Sequence, residues 1–267
     1  MSGAGVSAAG VSPAWAQRRL RTRKWLAREP PAEAMLELYL ELLDLQEPLY
    51  HEARAAGWKQ LDALPFASLV PRFRRFVREV EPAATEVLAA RARSLETADA
   101  AAAANLLADF LDRHELEGVA AEFYPRAFLQ PIAEAVVEDM DDAGDGLARL
   151  CPRCGWPPQV GVLRDEPDLK GARLLVCSLC SSSWRYRRAR CPRCAEDDPE
   201  KLVHHLSEAL PHVRVDACRT CNGYLKTVDL RKDGLAVPLV EDLATVELDL
   251  WCVEQGWEKI RRNLMGL

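Results

Sequence analysis

The sequence predicts an α+β protein: a helical N-terminal domain, two tandem cysteine-rich ribbons and a C-terminal helix. Three observations lead to this prediction. Residues 17–142 contain no cysteine and place apolar side chains at helical spacing. Eight of the nine cysteines then fall into four C-x-x-C pairs. After Pro238, apolar residues recur at steps of three and four as far as Trp257, which is typical of an amphipathic helix, so we assign residues 236–267 to a C-terminal helix.

Composition and charge exclude several protein classes. The chain has 267 residues, of which 49% are hydrophobic and 28% are charged, as in ordinary globular proteins. No uncharged apolar run reaches the length of a membrane span, so we expect no membrane insertion. The net charge of −6 means that the protein as a whole does not attract nucleic acid, which is also negatively charged.

The N-terminus predicts a cytoplasmic protein. Residues 1–16 are mostly small and uncharged, and we expect them to form a disordered tail. The sequence AWA at 14–16 has the outline of a signal cleavage site, but the basic residues follow it instead of preceding it. Arg18-Arg19 does not match a twin-arginine signal, because more basic residues replace the apolar segment. In a reducing compartment, clustered cysteines indicate metal or redox chemistry, not disulfides.

The predicted helical domain covers residues 17–146 and holds about six helices. We expect Pro48 to interrupt the second helix, and Pro125 and Pro131 to kink or split the last one. The basic strips 18–28 and 72–78 are interpreted as solvated helix faces. His51 and His114 stand alone and are not expected to be ligands, and residues 141–146 form a predicted linker.

The two predicted ribbons, residues 147–189 and 190–235, are copies of one repeat. Each copy contains C-P-R-C, strands, an acidic turn, a second C-x-x-C and a strand with an aromatic residue. The gaps between successive pairs are 22, 10 and 23 residues, so each copy supplies one quartet. The predicted metal ligands are Cys151, Cys154, Cys177 and Cys180 at one site, and Cys191, Cys194, Cys218 and Cys221 at the other.

Four thiolates around one ion suit zinc or a single iron, so the sequence predicts two metal ions per chain, iron or zinc. Gly155 and Gly223 lie where a tight knuckle needs a positive φ. The ninth cysteine, Cys252, is interpreted as a small buried hydrophobe. Three arginines inside the knuckles could offset the negative charge of the thiolates, or could be simple surface residues (Arg153, Arg193, Arg219). Three histidines are expected at the surface or around the ligands (His204, His205, His212).

Other functions fit the pattern less well. A thioredoxin-like dithiol would be one C-x-x-C beside a βαβ unit, not four in tandem. A nucleic-acid-binding ribbon has some support from the arginines at 185–190 beside Trp184 and Tyr186, although a solvated strand face explains most of them. The sequence contains no nucleotide-binding loop, no Ser/His/Asp pattern and no H-E-x-x-H, and four protein ligands leave no open metal position. We therefore expect no enzyme.

The ordered motifs C-P-R-C-G, C-S-L-C-S-S-S-W-R, C-R-T-C-N-G-Y-L-K and E-D-L-A-T-V-E-L-D-L-W (241–251) resemble the formate dehydrogenase accessory protein family, FdhE. The resemblance covers about residues 20–267 and is specific in the cysteine-rich half. It implies two tandem rubredoxin-like or zinc-ribbon modules that carry iron on the eight paired cysteines. Ala195, where many knuckles carry glycine, and the small-residue N-terminal tail depart from the family pattern.

The same resemblance implies a cytoplasmic, non-enzymatic assembly factor that binds the catalytic subunit of a formate dehydrogenase. Two alternatives stay open on the residues: a rubredoxin-like electron-transfer protein and a zinc-ribbon nucleic-acid-binding protein. We expect an acidic client to dock on the rims of the metal sites, where Arg153, Arg185, Arg187 and Arg193 lie.

Overall fold

A computed structural model describes residues 13–113, 116, 118–140 and 146–267. Six helices in the first half pack against one mixed β-sheet in the second, which confirms the α+β prediction. His114 and residues 141–145 of the predicted linker lie outside the described residues. The helices are α1 (Pro13–Leu26), α2 (Glu33–Ala56), α3 (Phe66–Val80), α4 (Glu86–Thr97), α5 (Ala100–Arg113) and α6 (Val119–Val137).

Two helices continue past their prolines. Helix α2 continues past Pro48, where we expected an interruption, and α6 is not split at Pro125 or Pro131. These are the two helices with the most extensive mutual packing. Burial of apolar surface along both helices outweighs the hydrogen bond that each proline removes.

Helix α1 is buried more deeply than the sequence suggested. It begins at Pro13, so residues 13–16 are helical, while residues 1–12 of the predicted tail lie outside the described residues. Arg18 and Arg21 are buried and ion-paired, Arg18 with Glu134 at 3.0 Å and Arg21 with Glu241. The interpretation of strip 18–28 as a solvated face is therefore wrong for these two arginines, because acids far along the chain neutralise them.

The described residues form seven strands, which are β1 (Pro158–Arg164), β2 (Ala172–Cys177), β3 (Ser183–Arg185), β4 (Leu202–Leu206), β5 (Val213–Cys218), β6 (Gly223–Asp229) and β7 (Glu258–Lys259). They form one sheet, in the order β3-β2-β1-β6-β5-β4, with β7 beside β6. Each ribbon is antiparallel internally, whereas β1 and β6 pair in parallel and join the two ribbons, with Gly161 opposite Thr227.

The C-terminal segment forms two short helices where one was expected. Helix α7 (Pro238–Ala244) ends before Thr245, and α8 (Val246–Glu254) follows it. The break has a physical cause, because the buried ammonium of Lys226 binds the carbonyl oxygens of Asp242 and Thr245 at 2.6 and 3.2 Å. A charged donor thus competes with the helix for these carbonyls.

Two apolar cores hold the layers together. One core combines α2–α6 with the first ribbon and includes Trp156, Cys177 and Trp184. The other core joins α1, part of α2, the opposite sheet face and α7. The division into separate domains at 146, 189 and 235 stays a prediction. Within the described residues, no helix is both long and apolar enough to cross a membrane.

Candidate metal centres

The structure brings together both predicted quartets of cysteines. In each quartet the four sulfur atoms lie within 4.8 Å of one another. We call the groups site 1 (Cys151, Cys154, Cys177, Cys180) and site 2 (Cys191, Cys194, Cys218, Cys221). Each site combines the two C-x-x-C turns of one repeat, as the similar gaps of 22 and 23 residues predicted.

The sulfur spacing matches a tetrahedral metal ion. Zinc–sulfur bonds of 2.3 Å in a tetrahedron place the sulfurs about 3.8 Å apart. In site 2 the Cys191–Cys221 and Cys194–Cys218 sulfur distances are both 3.7 Å. In site 1 the sulfur distances are 3.3 Å between Cys154 and Cys177 and 3.6 Å between Cys151 and Cys180. Both quartets therefore fit a single ion with four thiolate ligands.

A left-handed residue follows the second cysteine of every knuckle, and these residues are Gly155 (φ 78°), Ser181 (55°), Ala195 (66°) and Asn222 (53°). This conformation reverses the chain, so that the amide of Gly155 donates to the Cys151 carbonyl at 2.8 Å and that of Ala195 to Cys191 at 3.0 Å. The expectation for Gly155 is correct. In the last knuckle, however, the left-handed residue is Asn222 and not Gly223.

Gly223 is needed for space instead. A Cβ there would lie 2.9 Å from Cδ of Arg193 and 3.2 Å from Sγ of Cys221. The glycine thus lets Arg193 cross the knuckle beside a metal ligand. Asn222 can take the left-handed conformation because asparagine tolerates it better than most residues.

The two sites differ in exposure. Site 1 is buried except for the half-buried Cys154, whereas Cys194 and Cys221 of site 2 are both half-buried. Hydrogen bonds from the neighbouring thiols, first that of Cys154, lower the pKa of Cys151, while burial raises the pKa of Cys177. A metal ion must therefore displace protons to bind, so its affinity falls as pH falls.

Arg126 supports site 1 and was missed by sequence reasoning. It lies on α6, it is buried, and it donates to the Ser178 carbonyl at 3.1 Å, inside the second knuckle. It also donates to Gln159 at 2.9 Å and to the Asn263 carbonyl at 3.1 Å. Burial lowers the pKa of Arg126 to about 10. A lone arginine in the apolar stripe of α6 was the only signal in the sequence.

Several arginines near the knuckles have acidic or carbonyl partners. Arg193 pairs with Glu258 at 2.7 Å, and Arg153 donates to the Val137 carbonyl at 3.5 Å. Arg185 pairs with both Glu166 and Asp168. Arg219 is exposed. Two of the four predicted rim arginines, Arg185 and Arg193, are thus neutralised by acids of the same chain.

The three histidines of the cysteine-rich half lie outside both cysteine groups. His204 is exposed, and its Nδ1 lies 2.7 Å from Oδ1 of Asp216. His205 packs edge-on against Trp251 with ring centroids 4.8 Å apart. His212 was expected at the surface or near the ligands, but it is buried with its Nε2 2.9 Å from Glu241.

Cys252 is separate from the eight paired cysteines. It is fully buried in a small core with Val215, Ala217 and Tyr224, and it belongs to neither sulfur group. Burial raises its pKa to about 12. A protonated thiol in an apolar core behaves as a small hydrophobe.

In this fold, helices pack on one sheet, and each of the two ribbons that form the sheet carries a four-cysteine group. Such an arrangement defines a helical protein with tandem zinc-ribbon-like modules. Two family models match it: residues 150–188 match "FdhE, central domain", and residues 189–265 match "FdhE, C-terminal domain". The crystal structure of the FdhE protein from Pseudomonas aeruginosa superposes with a TM-score of 0.66 and 26% identity, covering 94% of this chain and 95% of that one. The chain belongs to the FdhE family, which confirms the resemblance.

Similar sequences carry the same family name. The "Protein FdhE homolog" of Aquifex aeolicus (strain VF5) is 38% identical over 163 residues, which are 61% of this chain and 57% of that protein. The "Protein FdhE homolog" of Stutzerimonas stutzeri (strain A1501) is 43% identical over 119 residues, which are 43% of this chain and 38% of that protein. The chain thus matches less than two thirds of the length of either relative.

Proposed function

We propose that this protein is a non-enzymatic accessory factor for formate dehydrogenase and that it binds the catalytic subunit through its double ribbon. The observation that carries this proposal is the pair of four-sulfur groups on one continuous sheet, in a chain of the FdhE family. A metal ion with four protein ligands has no open position for a substrate. The useful surfaces are therefore the faces around the metal centres, which suit binding better than catalysis.

The proposed ligands are the eight cysteines of sites 1 and 2, with one ion at each site. Thiolate ligands in a tetrahedron select zinc or a single iron. Zinc binds such ligands more tightly than iron(II), so protein overproduced in a foreign host would carry zinc even where iron is the native ion. Either ion would hold the knuckles together, and iron would also supply one-electron chemistry.

We place this action in the cytoplasm, before the catalytic subunit is exported or attached to a membrane. Clustered thiols stay reduced and available to metal in that compartment. The partner is then a newly made subunit, and nucleic acid is not the expected ligand of an acidic chain.

A rubredoxin-like electron carrier is the second candidate. Its specific support is the partial exposure of Cys154 at site 1, and of Cys194 and Cys221 at site 2, because an exposed ligand shortens the path for an electron to a partner. The two candidates differ in whether iron is required for activity.

Deletion of the gene in its host, followed by formate-dependent dye reduction and a tagged pull-down, tests the accessory role. The proposal expects lost dye reduction and recovery of the catalytic subunit with the tagged protein. Normal dye reduction together with an empty pull-down would contradict it. Complementation by protein whose two sites hold only zinc supports the accessory role, whereas a strict need for iron, with a visible spectrum that bleaches on reduction, supports the electron carrier.

A further inference from the structure

The segment that joins the two metal sites is rich in arginine. Ten residues separate Cys180 from Cys191, and four of them are arginine. Arg185 is paired with Glu166 and Asp168. Arg187 and Arg188 are exposed and Arg190 is half-buried, and none of these three has an acidic partner among the described residues. We call residues 186–190 the arginine turn.

A buried arginine shapes the arginine turn from beneath. Nη1 of Arg173 donates to the carbonyl oxygens of Arg187, Arg188 and Arg190 at 3.2, 3.4 and 2.9 Å. Arg173 is only 4% exposed, and its Nη2 lies 3.5 Å from Oδ2 of Asp216. These hydrogen bonds fix the backbone of the turn through its carbonyl oxygens and do not involve the side chains of Arg187, Arg188 and Arg190.

Further positive groups converge on the same place. A Cβ at Gly171 would lie 2.7 Å from Nη2 of Arg188 and 2.6 Å from Nη1 of Arg231, so both guanidiniums contact this glycine. Arg231 uses its Nε and Nη2 for Asp229, which leaves Nη1 on the side of Arg188. Nε of Arg190 is buried and has no hydrogen-bond partner in the described part of the chain. Asp229 pairs with Arg231, and Oδ1 of Asp165 accepts a hydrogen bond from the Gly171 amide at 2.6 Å, so the unpaired positive charge here belongs to Arg188 and Arg190. Unpaired positive charge of this kind favours a bound anion.

The neighbouring aromatic residues decide which class of anion fits. Trp184 and Tyr186 are 2% and 4% exposed, and Tyr186 is held by a 3.1 Å hydrogen bond to the Cys191 carbonyl. Buried rings cannot stack on bases, which single-stranded nucleic-acid binders require. Guanidinium groups bind carboxylates through paired hydrogen bonds, so a segment rich in Asp and Glu is complementary.

We propose that the arginine turn is the docking surface for an acidic segment of the partner protein. This inference rests on the proposed function, since it assigns the surface that the formate dehydrogenase catalytic subunit contacts. It differs from the sequence expectation, in which paired arginines such as Arg185 and Arg193 contributed. Arg188 and Arg190 of the turn line one cleft with Cys191 and Cys218, so a bound partner would adjoin site 2.

The test measures binding of the metal-loaded protein to the purified catalytic subunit at about 50 and 300 mM salt. The variant Arg187→Glu/Arg188→Glu should associate at least about tenfold more slowly, with a weaker salt dependence. The variant Arg187→Lys/Arg188→Lys keeps the charge and should stay within about threefold of the unchanged protein. Arg23→Glu/Lys24→Glu reverses two exposed charges on α1 and should bind normally. Metal content and circular dichroism confirm that all variants are folded.

The outcomes separate the two proposals. Equal binding by the unchanged protein and the Arg187→Glu/Arg188→Glu variant would overturn the docking surface and leave the accessory role intact. Absence of binding by the unchanged protein would overturn both. An equal loss in the α1 control would show that only net charge matters and would overturn the assignment. Competition by an oligonucleotide of about 20 bases, but not by polyglutamate, would assign the surface to nucleic acid instead.

Discussion

Replacement of Gly161 by alanine should weaken the junction between the two ribbons. Gly161 on β1 faces Thr227 on β6 in the parallel pair, and an added Cβ would overlap the Thr227 hydroxyl. That hydroxyl donates to Oδ2 of Asp216 at 2.8 Å, and the Asp216 side chain is almost fully buried. The methyl group must therefore displace Thr227 or separate the strands.

The cost follows from the displaced contacts. A hydrogen bond to a charged group contributes about 1.5–3 kcal/mol, and the remaining crowding against Cβ and Cγ2 of Thr227, at 3.3 and 3.4 Å, adds about 1 kcal/mol. Alanine regains about 0.5–1 kcal/mol in a strand, since glycine is more flexible when unfolded. We expect Gly161→Ala to lower the free energy of unfolding by about 1.5–3.5 kcal/mol.

Urea unfolding of the metal-loaded protein at fixed free zinc measures this cost, since bound metal itself stabilises the fold. In a Thr227→Ala background the hydroxyl is already gone, so the same Gly161→Ala change should cost less than about 1 kcal/mol. Gly234→Ala is the control, because a Cβ there would meet only the Leu230 carbonyl at 3.6 Å. The same cost in both backgrounds, or no cost in either, would refute the steric account of the junction.

Three other predictions concern the knuckles, the metals and the sheet. Ala195→Gly should stabilise the metal-loaded protein against urea by about 0.5–1 kcal/mol, because Ala195 holds a left-handed φ; unchanged stability would show that the turn bears no strain. Elemental analysis should find two metal ions per chain in the unchanged protein and one in the variant Cys191→Ser/Cys194→Ser. Far-UV circular dichroism should show that removal of both ions by a chelator disturbs the helices more than this variant does, because the cysteines of site 1 lie in the same apolar core as the helices. Burial opposes ionisation of Asp216, but the hydrogen bond to His204 and nearby arginines hold its pKa below the usual range. The stabilising contribution of Asp216 is thus present at neutral pH and is lost on acidification below about pH 4. In Asp216→Asn, the free energy of unfolding measured with urea should therefore fall less steeply as the pH is lowered. An equally steep fall in both proteins would contradict this.

The metal-site geometry was predictable because its determinants are close in the chain. Each knuckle is a tight turn between two cysteines, and each quartet comes from one repeat of about 40 residues. The position of the left-handed residue was less predictable. Asn222 takes it in the last knuckle, since the left-handed residue directly follows the second cysteine in all four knuckles, whereas Gly223 makes room for Arg193 from another turn.

The amino-acid pattern alone determined the helical first half, the two cysteine quartets and the family, because periodicity and spacing are local properties. Only the tertiary structure decided how these parts are joined. The parallel pairing of β1 with β6 depends on a glycine that admits Thr227. The burial of Arg21 depends on Glu241, 220 positions away. Such partners leave no periodic trace, since a buried charge is stable only when a distant opposite charge reaches it.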